Sequence, residues 1–355
     1  MAQVYRMLTW PLVEYGFSYS GARAIAVAPD RASVRATTDG VASATVILSL
    51  GAVGLGVVAF RYAPLLHDEW GIVAWATLAA ISTGSAPWWY YQGTQRLGSA
   101  ARMSAGLRGC AVMAVFAFIR EPHHVWLVVA IDAMASGTLT LWMWFGLAAE
   151  VGRPRFGTKL GVQELRSGGP LAQARIMERW YDAVPGACAG ALLGAGAVGM
   201  YGGADKILKL WRTASNALTR GALPVAASDK EMARSPKLIP LTLLVGLTAA
   251  GFLALIASPI TTILLGPGFE DAAVLVQLLA IGMPATLLTS VLVGMVALPR
   301  GMDRAVRTVT LVSLVLLGIG AVGGGMTYGV SGLVVAVAVA DWSRAGGIFA
   351  VSQRD

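Results

Sequence analysis

The sequence predicts an all-α polytopic membrane protein with about eleven transmembrane helices in two lobes, residues 1–150 and 180–355. Three observations predict it. Of 355 residues, 56% are hydrophobic and only 13% charged, with a mean hydropathy of +0.66, too few charges to cover a soluble globule of this size. Apolar runs of about 20 residues, each long enough to cross about 30 Å of hydrocarbon, follow one another along nearly the whole chain. The connections between them alternate between strongly basic and nearly uncharged, as loops on opposite sides of a membrane do.

Runs centred near Val13, Leu55, Ala79, Val112 and Met134 form the first lobe, and runs near Gly190, Ser215, Leu247, Gly282, Leu316 and Val335 the second. Pro11, Pro87, Pro185, Pro224, Pro259 and Pro284 fall inside or at the ends of these runs. Each removes an amide donor, so kinks are expected, tolerable where neighbouring helices meet the freed carbonyls. Small residues at Gly51, Gly54 and Gly56, and again at Gly194, Gly196 and Gly199, are expected to let helix backbones approach closely.

One set of connections carries Arg31 and Arg35; Arg96, Arg102 and Arg108; Arg153, Arg155, Lys159, Arg166, Arg175 and Arg179; Lys230, Arg234 and Lys237; and Arg300, Arg304 and Arg307. The other set offers only Arg61 and Arg120. The first set is therefore read as cytoplasmic, together with the C-terminus. The alternation also places a very short N-terminus outside, with Arg6 translocated on a segment that starts almost at Met1. A twelve-helix plan lacking its first helix removes that difficulty. Residues 151–179, the longest polar connection, read as a basic cytoplasmic loop between the lobes. Parallel halves joined in this way are a recurrent transporter plan, with the substrate site at the interface between them.

The formal charge of +8 does not point to nucleic acid, because the basic residues are dispersed between apolar runs rather than gathered into a patch with interleaved aromatics. Cys110 and Cys188 both lie inside apolar runs without CxxC or His-paired spacing, supporting neither a disulfide framework nor a metal site. No cleavable signal peptide is recognisable at the N-terminus. GGADK at Gly202–Lys206 lacks a complete phosphate loop, and no GxSxG or HExxH pattern occurs, so no catalytic residue and no cofactor is assigned.

The stretch from Val198 to Ser228 is long enough to span, yet it carries Lys206, Lys209, Arg212 and Arg220. Lys206, Lys209, Thr213, Asn216 and Arg220 recur at three- and four-residue steps, forming one polar stripe on a helix. A cation facing hydrocarbon costs about 2.5 to 3.5 kcal/mol on insertion scales, so such a stripe must face protein, water or an anionic ligand. A cavity receiving something negative is one reading; a helix lying in the headgroup layer with snorkelling lysines is the other. Asp205, one turn before Lys209, is a candidate restraining partner. Arg175, Arg179 and Asp182 begin the preceding run, where they could face a cavity mouth; ordinary positive-inside anchoring explains the two arginines as well, and Asp182 and Asp205 are also candidates for ion coupling. Glu14 and Arg23 lie in the first run, where a carboxylate could bind a coupling ion or form an internal ion pair. Asp132 and Asp341 are further carboxylates within apolar runs and candidates for ion coupling; Asp341, beside Trp342 and Arg344, reads better as an interfacial residue. Trp88–Tyr91 would either stack sugars or form an interfacial aromatic belt. His67, His123 and His124 receive no role.

Several stretches resemble, in order, the bacterial polysaccharide repeat-unit flippases, the O-antigen and exopolysaccharide branch of the multidrug/oligosaccharidyl-lipid/polysaccharide exporter superfamily. They are LVEYGFSYSGARAIA (Leu12–Ala26), PWWYYQGTQRLG (Pro87–Gly98), VGMYGGADKILKLW (Val198–Trp211), ALPVAAS (Ala222–Ser228) and LLGPGFEDAAVLVQLLAIGMP (Leu264–Pro284). The resemblance begins partway into the family's second helix, and MERWYDAVPG (Met177–Gly186) is a looser match. It implies a two-lobed helical transporter with a cationic cavity, moving a polyprenyl-diphosphate-linked oligosaccharide across the cytoplasmic membrane. The implied partners are the lipid-linked glycan, the bilayer, a glycan polymerase and glycosyltransferases. A cation-coupled drug or lipid exporter of the same superfamily remains an alternative, as does a membrane-embedded glycosyltransferase, a polymerase or an inactive fragment.

Overall fold

The computed structural model describes residues 2–62, 70–121, 126–228, 238–266, 271–297 and 302–353, with 124, 268 and 269; for 216–228 it describes the backbone. Every regular element among them is a helix. The chain divides into two compact units, residues 1–183 and 184–355.

In the first unit, the run around Val13 forms two helices, α1 (Ala2–Glu14) and α2 (Phe17–Ala26). The break is at Tyr15 and Gly16, whose φ angles of 49° and 73° lie in the left-handed region. Glu14 turns back across the break and accepts hydrogen bonds from the amides of Gly16 (3.2 Å) and Ser18 (3.1 Å) and from the Ser18 hydroxyl. A carboxylate here satisfies donors that the first turn of a helix leaves unpaired and faces the positive end of its dipole.

Next come α3 (Arg31–Tyr62), α4 (Trp70–Ser85), α5 (Trp88–Gly93), α6 (Leu97–Phe118) and α7 (Trp126–Val151). Asp30 starts α3 by accepting the Ser33 amide (2.8 Å) and hydroxyl (2.7 Å), and these bonds hold its carboxyl below the ordinary range. Proline at position 87 separates α4 from α5. The core gathers Phe17, Val41, Trp89, Met143 and Leu147 from helices α2, α3, α5 and α7.

Residues 151–179 differ from the expected loop: the chain is irregular only to Gly157 and then forms α8 (Thr158–Cys188). Hydropathy alone passes over a helix this polar. Its packing explains it, since Gly161 approaches α3 so closely that a Cβ would lie 2.9 Å from the Ala44 nitrogen, and Ala172 and Tyr181 are buried. The Trp180 indole donates to the Leu8 carbonyl (3.0 Å) and the Tyr15 hydroxyl to the Leu165 carbonyl (3.1 Å), fastening α8 across α1 and the break.

The second unit opens with the end of α8 and a π-helical turn (Ala189–Leu193), followed by α9 (Ala195–Ser228), α10 (Leu238–Leu255) and α11 (Ala257–Leu265). The run around Gly282 is again two helices, α12 (Ala272–Ala280) and α13 (Met283–Val291), the latter with Pro284 in its first turn. The final helix α14 (Asp303–Ser352) contains a reversal at Gly329, where φ is 62°. Its arms, 303–328 and 330–352, match the two runs read from the sequence around Leu316 and Val335. They pack so tightly that a Cβ on Gly324 would lie 2.6 Å from the Gly332 carbonyl oxygen.

Among the described residues, six helical segments are long and apolar enough to cross a membrane: Arg31–Tyr62, Leu97–Phe118, Trp126–Val151, Leu238–Leu255, Ala272–Gly294 and Arg304–Ser352, the last comprising both arms of α14. The glycine expectation holds at Gly56, where a Cβ would lie 2.7 Å from Thr77 Oγ1 on α4, and needs correction at the other positions. Gly51, Gly54, Gly194, Gly196 and Gly199 meet no side chain or neighbouring backbone among the described residues. Close approach occurs instead at Gly84 on Val13 and Trp10, at Gly246 on Pro284 and at Gly93 on Ile25. Spacing identifies small faces, but the partner decides which face is used.

Candidate functional site

On α9, Tyr201, Ala204, Asp205, Leu208 and Ser215 form the buried face. Lys206 and Thr213 of the polar stripe are exposed, while Lys209 lies at the edge of the buried face. Ile207 and Leu208, which fall off the stripe, take the interior. Asn216 and Arg220 continue the helix in backbone, and their side chains lie outside the described residues.

Among the described residues, ion pairs lie at two places along α9. Lys209 Nζ is 2.6 Å from Asp205 Oδ2, one turn back on the same helix, and the Asp205 side chain is only 5% exposed. Its other oxygen, Oδ1, is buried without a hydrogen-bond partner among the described residues. Arg212 turns inward to Asp341 on the second arm of α14, 3.4 Å away, with the two side chains 17% and 5% exposed. Asp341 is therefore enclosed within the second unit, paired with a cation from another helix. The available signal was that it is the single acidic residue in that arm.

The Arg212–Asp341 pair sits beside the break between α12 and α13. A Cβ on Gly282 would lie 2.9 Å from Asp341 Oδ2, so glycine leaves room for the carboxylate. The Trp211 indole donates to the Met283 carbonyl (3.1 Å) and Thr286 hydroxyl (3.2 Å), and the Trp342 indole to the Ile281 carbonyl (3.0 Å). Indoles from two helices thus bind backbone carbonyls around an interrupted helix, the condition under which irregular backbone persists in an apolar setting.

In the first unit, Asp132 on α7 pairs with Arg6 on α1, at a cavity of about 460 Å³ between α1, α4, α6 and α7 that also exposes Arg108 and Ser136. Glu14 is the cap of α2 described above, and Arg23 is exposed. Arg175 places its guanidinium 4.2 Å from the centre of the Tyr19 ring and pairs with Glu178, while Arg179 lies 5.2 Å over Trp10. These contacts combine charge with the negative ring face and are worth about 0.5 to 2 kcal/mol each. Asp182 is half-buried on α8.

Of Trp88–Tyr91, the last three form neither a sugar platform nor an interfacial belt, being at most 7% exposed, while Trp88 is half-buried and lines the cavity beside Asp132. Trp89 meets Trp144 edge-on and Tyr91 stacks on Trp142. The Tyr90 hydroxyl donates to Glu150 Oε2 (2.7 Å), whose Oε1 accepts from Arg96 (2.6 Å). Arg6 and Glu150 are polar partners that the sequence reading did not pair, because each meets its counterpart from a different helix.

No curated protein matches the chain. Among solved structures it is similar to an inward-facing multidrug resistance MATE family transporter of the MOP superfamily, with 14% identity, 98% of this chain and 87% of the other covered, and a TM-score of 0.71. It is also similar to the lipid II flippase MurJ in an inward closed conformation, at 12% identity, with 99% and 86% covered and a TM-score of 0.66. A third likeness is to a MOP-superfamily transporter from Pyrococcus furiosus, at 14% identity, with 99% and 85% covered and a TM-score of 0.56. The fold is that of an all-α polytopic membrane transporter. Residues 1–228 match the model of one family, and with the transporter fold around them they place the chain in the polysaccharide biosynthesis protein family.

Proposed function

We propose that the protein flips a polyprenyl-diphosphate-linked oligosaccharide across the bacterial cytoplasmic membrane during synthesis of O-antigen, capsule or exopolysaccharide, with α9 receiving the diphosphate. The observation that carries this reading is the pairing of Lys209 and Arg212 with the buried carboxylates Asp205 and Asp341. An unpaired cation within an apolar run is costly, so an empty site needs internal counter-charges. A diphosphate bears more charge than a carboxylate and offers more acceptor oxygens, so it can take over these cations by exchange. Because the carboxylates are held by the protein, they reclaim the cations when the substrate leaves. The membership in a polysaccharide biosynthesis family supports a glycan cargo over a drug.

The test removes the lysine charge without stranding its partner. Lys209→Gln combined with Asp205→Asn keeps both side chains polar and nearly isosteric, so folding is expected to persist. Affinity for a diphosphate-headed lipid should fall about ten- to hundred-fold, the equivalent of one charge-assisted contact of about 1.5 to 3 kcal/mol. Lys209→Glu should abolish glycan export at matched membrane levels, while Arg304→Gln, at an exposed position, should leave it intact. Export by Lys209→Glu equal to the unmodified chain would remove α9 from the substrate path.

A further inference from the structure

A cleft of about 600 Å³ opens in the first unit between α3, α4 and α7, away from every ion pair described above. It exists because α3 and α7 each pack on α4 and scarcely on each other. Val46, Leu50 and Val53 of α3 and Leu141 and Phe145 of α7 line it, each between 45% and 73% exposed. On α3 the lining runs from Ala42 to Val53, about 16 Å at 1.5 Å per residue, or roughly half of a 30 Å hydrocarbon core. The cleft is one leaflet deep.

Its Ala42 end is closed by the linker after α7, which contributes Arg153, Pro154 and Phe156. That linker is fixed in place: the buried Asp39 carboxylate accepts the Arg155 amide (2.8 Å), and the Ser43 hydroxyl accepts the Gly157 amide (3.1 Å). Arg155 is exposed beside Arg153, and the Arg35 guanidinium lies 3.9 Å from where a Gly152 Cβ would stand. Arg153 therefore stands at one end of an apolar slot with Arg35 and Arg155 near it on the chain and in space, while the neighbouring carboxylates are withdrawn: Asp39 is engaged with backbone and Glu164, whose Oε2 would lie 3.2 Å from a Gly40 Cβ, is half-buried.

We propose that this cleft is a binding site for an anionic phospholipid of the adjoining leaflet, with an acyl chain along α3 and α7 and the phosphate at Arg153. Any lipid chain fits the slot; the arginines add selection for net negative headgroups. Polybasic positions near a membrane surface contribute about 1 kcal/mol each, the equivalent of about fivefold in occupancy. The site is independent of the transport reading, since none of its residues belongs to α9.

The experiment incubates the full chain in neutral detergent with equal amounts of phosphatidylglycerol and phosphatidylcholine of identical chains and counts retained lipid by native mass spectrometry. Phosphatidylglycerol should be retained at least fivefold in excess. Arg153→Gln with Arg155→Gln should bring the ratio near parity, whereas Arg304→Gln with Arg307→Gln should leave it unchanged. Val46→Trp, which fills the slot, should lower retention of both lipids; normal retention in a variant that melts as the parent does would overturn the cleft as the site. Parity in the unmodified protein, or a preference that survives loss of Arg153 and Arg155, overturns the selection. Displacement of phosphatidylglycerol by an equal concentration of a polyprenyl phosphate would assign the slot to the carrier lipid and overturn the proposal likewise.

Discussion

A guanidinium and a carboxylate taken together out of water depend on each other more than either contributes alone. For Arg212 and Asp341, removing one partner leaves the other charged and enclosed, a loss of about 3 to 5 kcal/mol for a well-buried pair. Asp341→Asn and Arg212→Gln should each lower the melting temperature in detergent, and the double variant should recover part of the loss. Additive melting shifts would mean that the two groups are not coupled. Glu164 on α8 behaves differently, because burial pushes its carboxyl above the ordinary value of 4.5. A folded state that holds the proton more tightly is favoured below the ordinary value, and that advantage is lost as pH rises through the raised one. Glu164→Gln should therefore preserve or raise the melting temperature at neutral pH and flatten its decline above pH 4.5; a steeper decline would contradict the buried carboxyl. The cations of α9 were legible in the sequence because they interrupt an apolar run. Their partners were less so: Asp205 lies one helical turn from Lys209 and could be read by spacing, whereas Asp341 stands 129 positions from Arg212 and only tertiary folding pairs them.

At the scale of elements, the discontinuities are as specific as the helices. Glu14 bridges one break and Pro284 opens another, and both runs were visible in the sequence only as single apolar segments. Pro87 and Pro284 fall at breaks, whereas Pro11, Pro185 and Pro224 lie inside helices, and no residue pattern pointed to the left-handed Tyr15 and Gly16, beside which lie the Glu14 cap and α8. The tight crossing of α10 and α13 offers a direct test. A Cβ at Gly246 would stand 2.6 Å from Pro284 Cα, so the clash is with backbone and cannot be relieved by a side-chain rotation. Gly246→Leu should cost about 1 to 3 kcal/mol or more by overpacking, while Gly51→Ala, in open surroundings, should be neutral or slightly stabilising. Equal melting of the two variants would argue that α10 and α13 do not cross there.

For the molecule as a whole, the loop charges make a sided prediction. Reporter fusions after Arg35, Arg102, Lys159 and Arg304 should all register cytoplasm, and fusions after Arg61 and Tyr328 the opposite side. Two or more reversed reporters would overturn the topology. The whole-chain pattern of runs was read well from hydropathy, since each run finds a helix or a broken pair of helices. What hydropathy could not supply was which polar helices, such as α8, are structural, because their support comes from indoles, hydroxyls and glycines meeting a partner rather than from their own composition. One of those arrangements also turns the protein into its own optical gauge. Trp211 and Trp342 are tethered by their ring nitrogens to carbonyls on either side of Gly282. Any cargo-driven straightening of that segment must detach them, and the wavelength of indole emission follows hydrogen bonding and polarity at the ring. The part of the emission change that disappears in Trp211→Phe would report the movement in real time, without an attached dye.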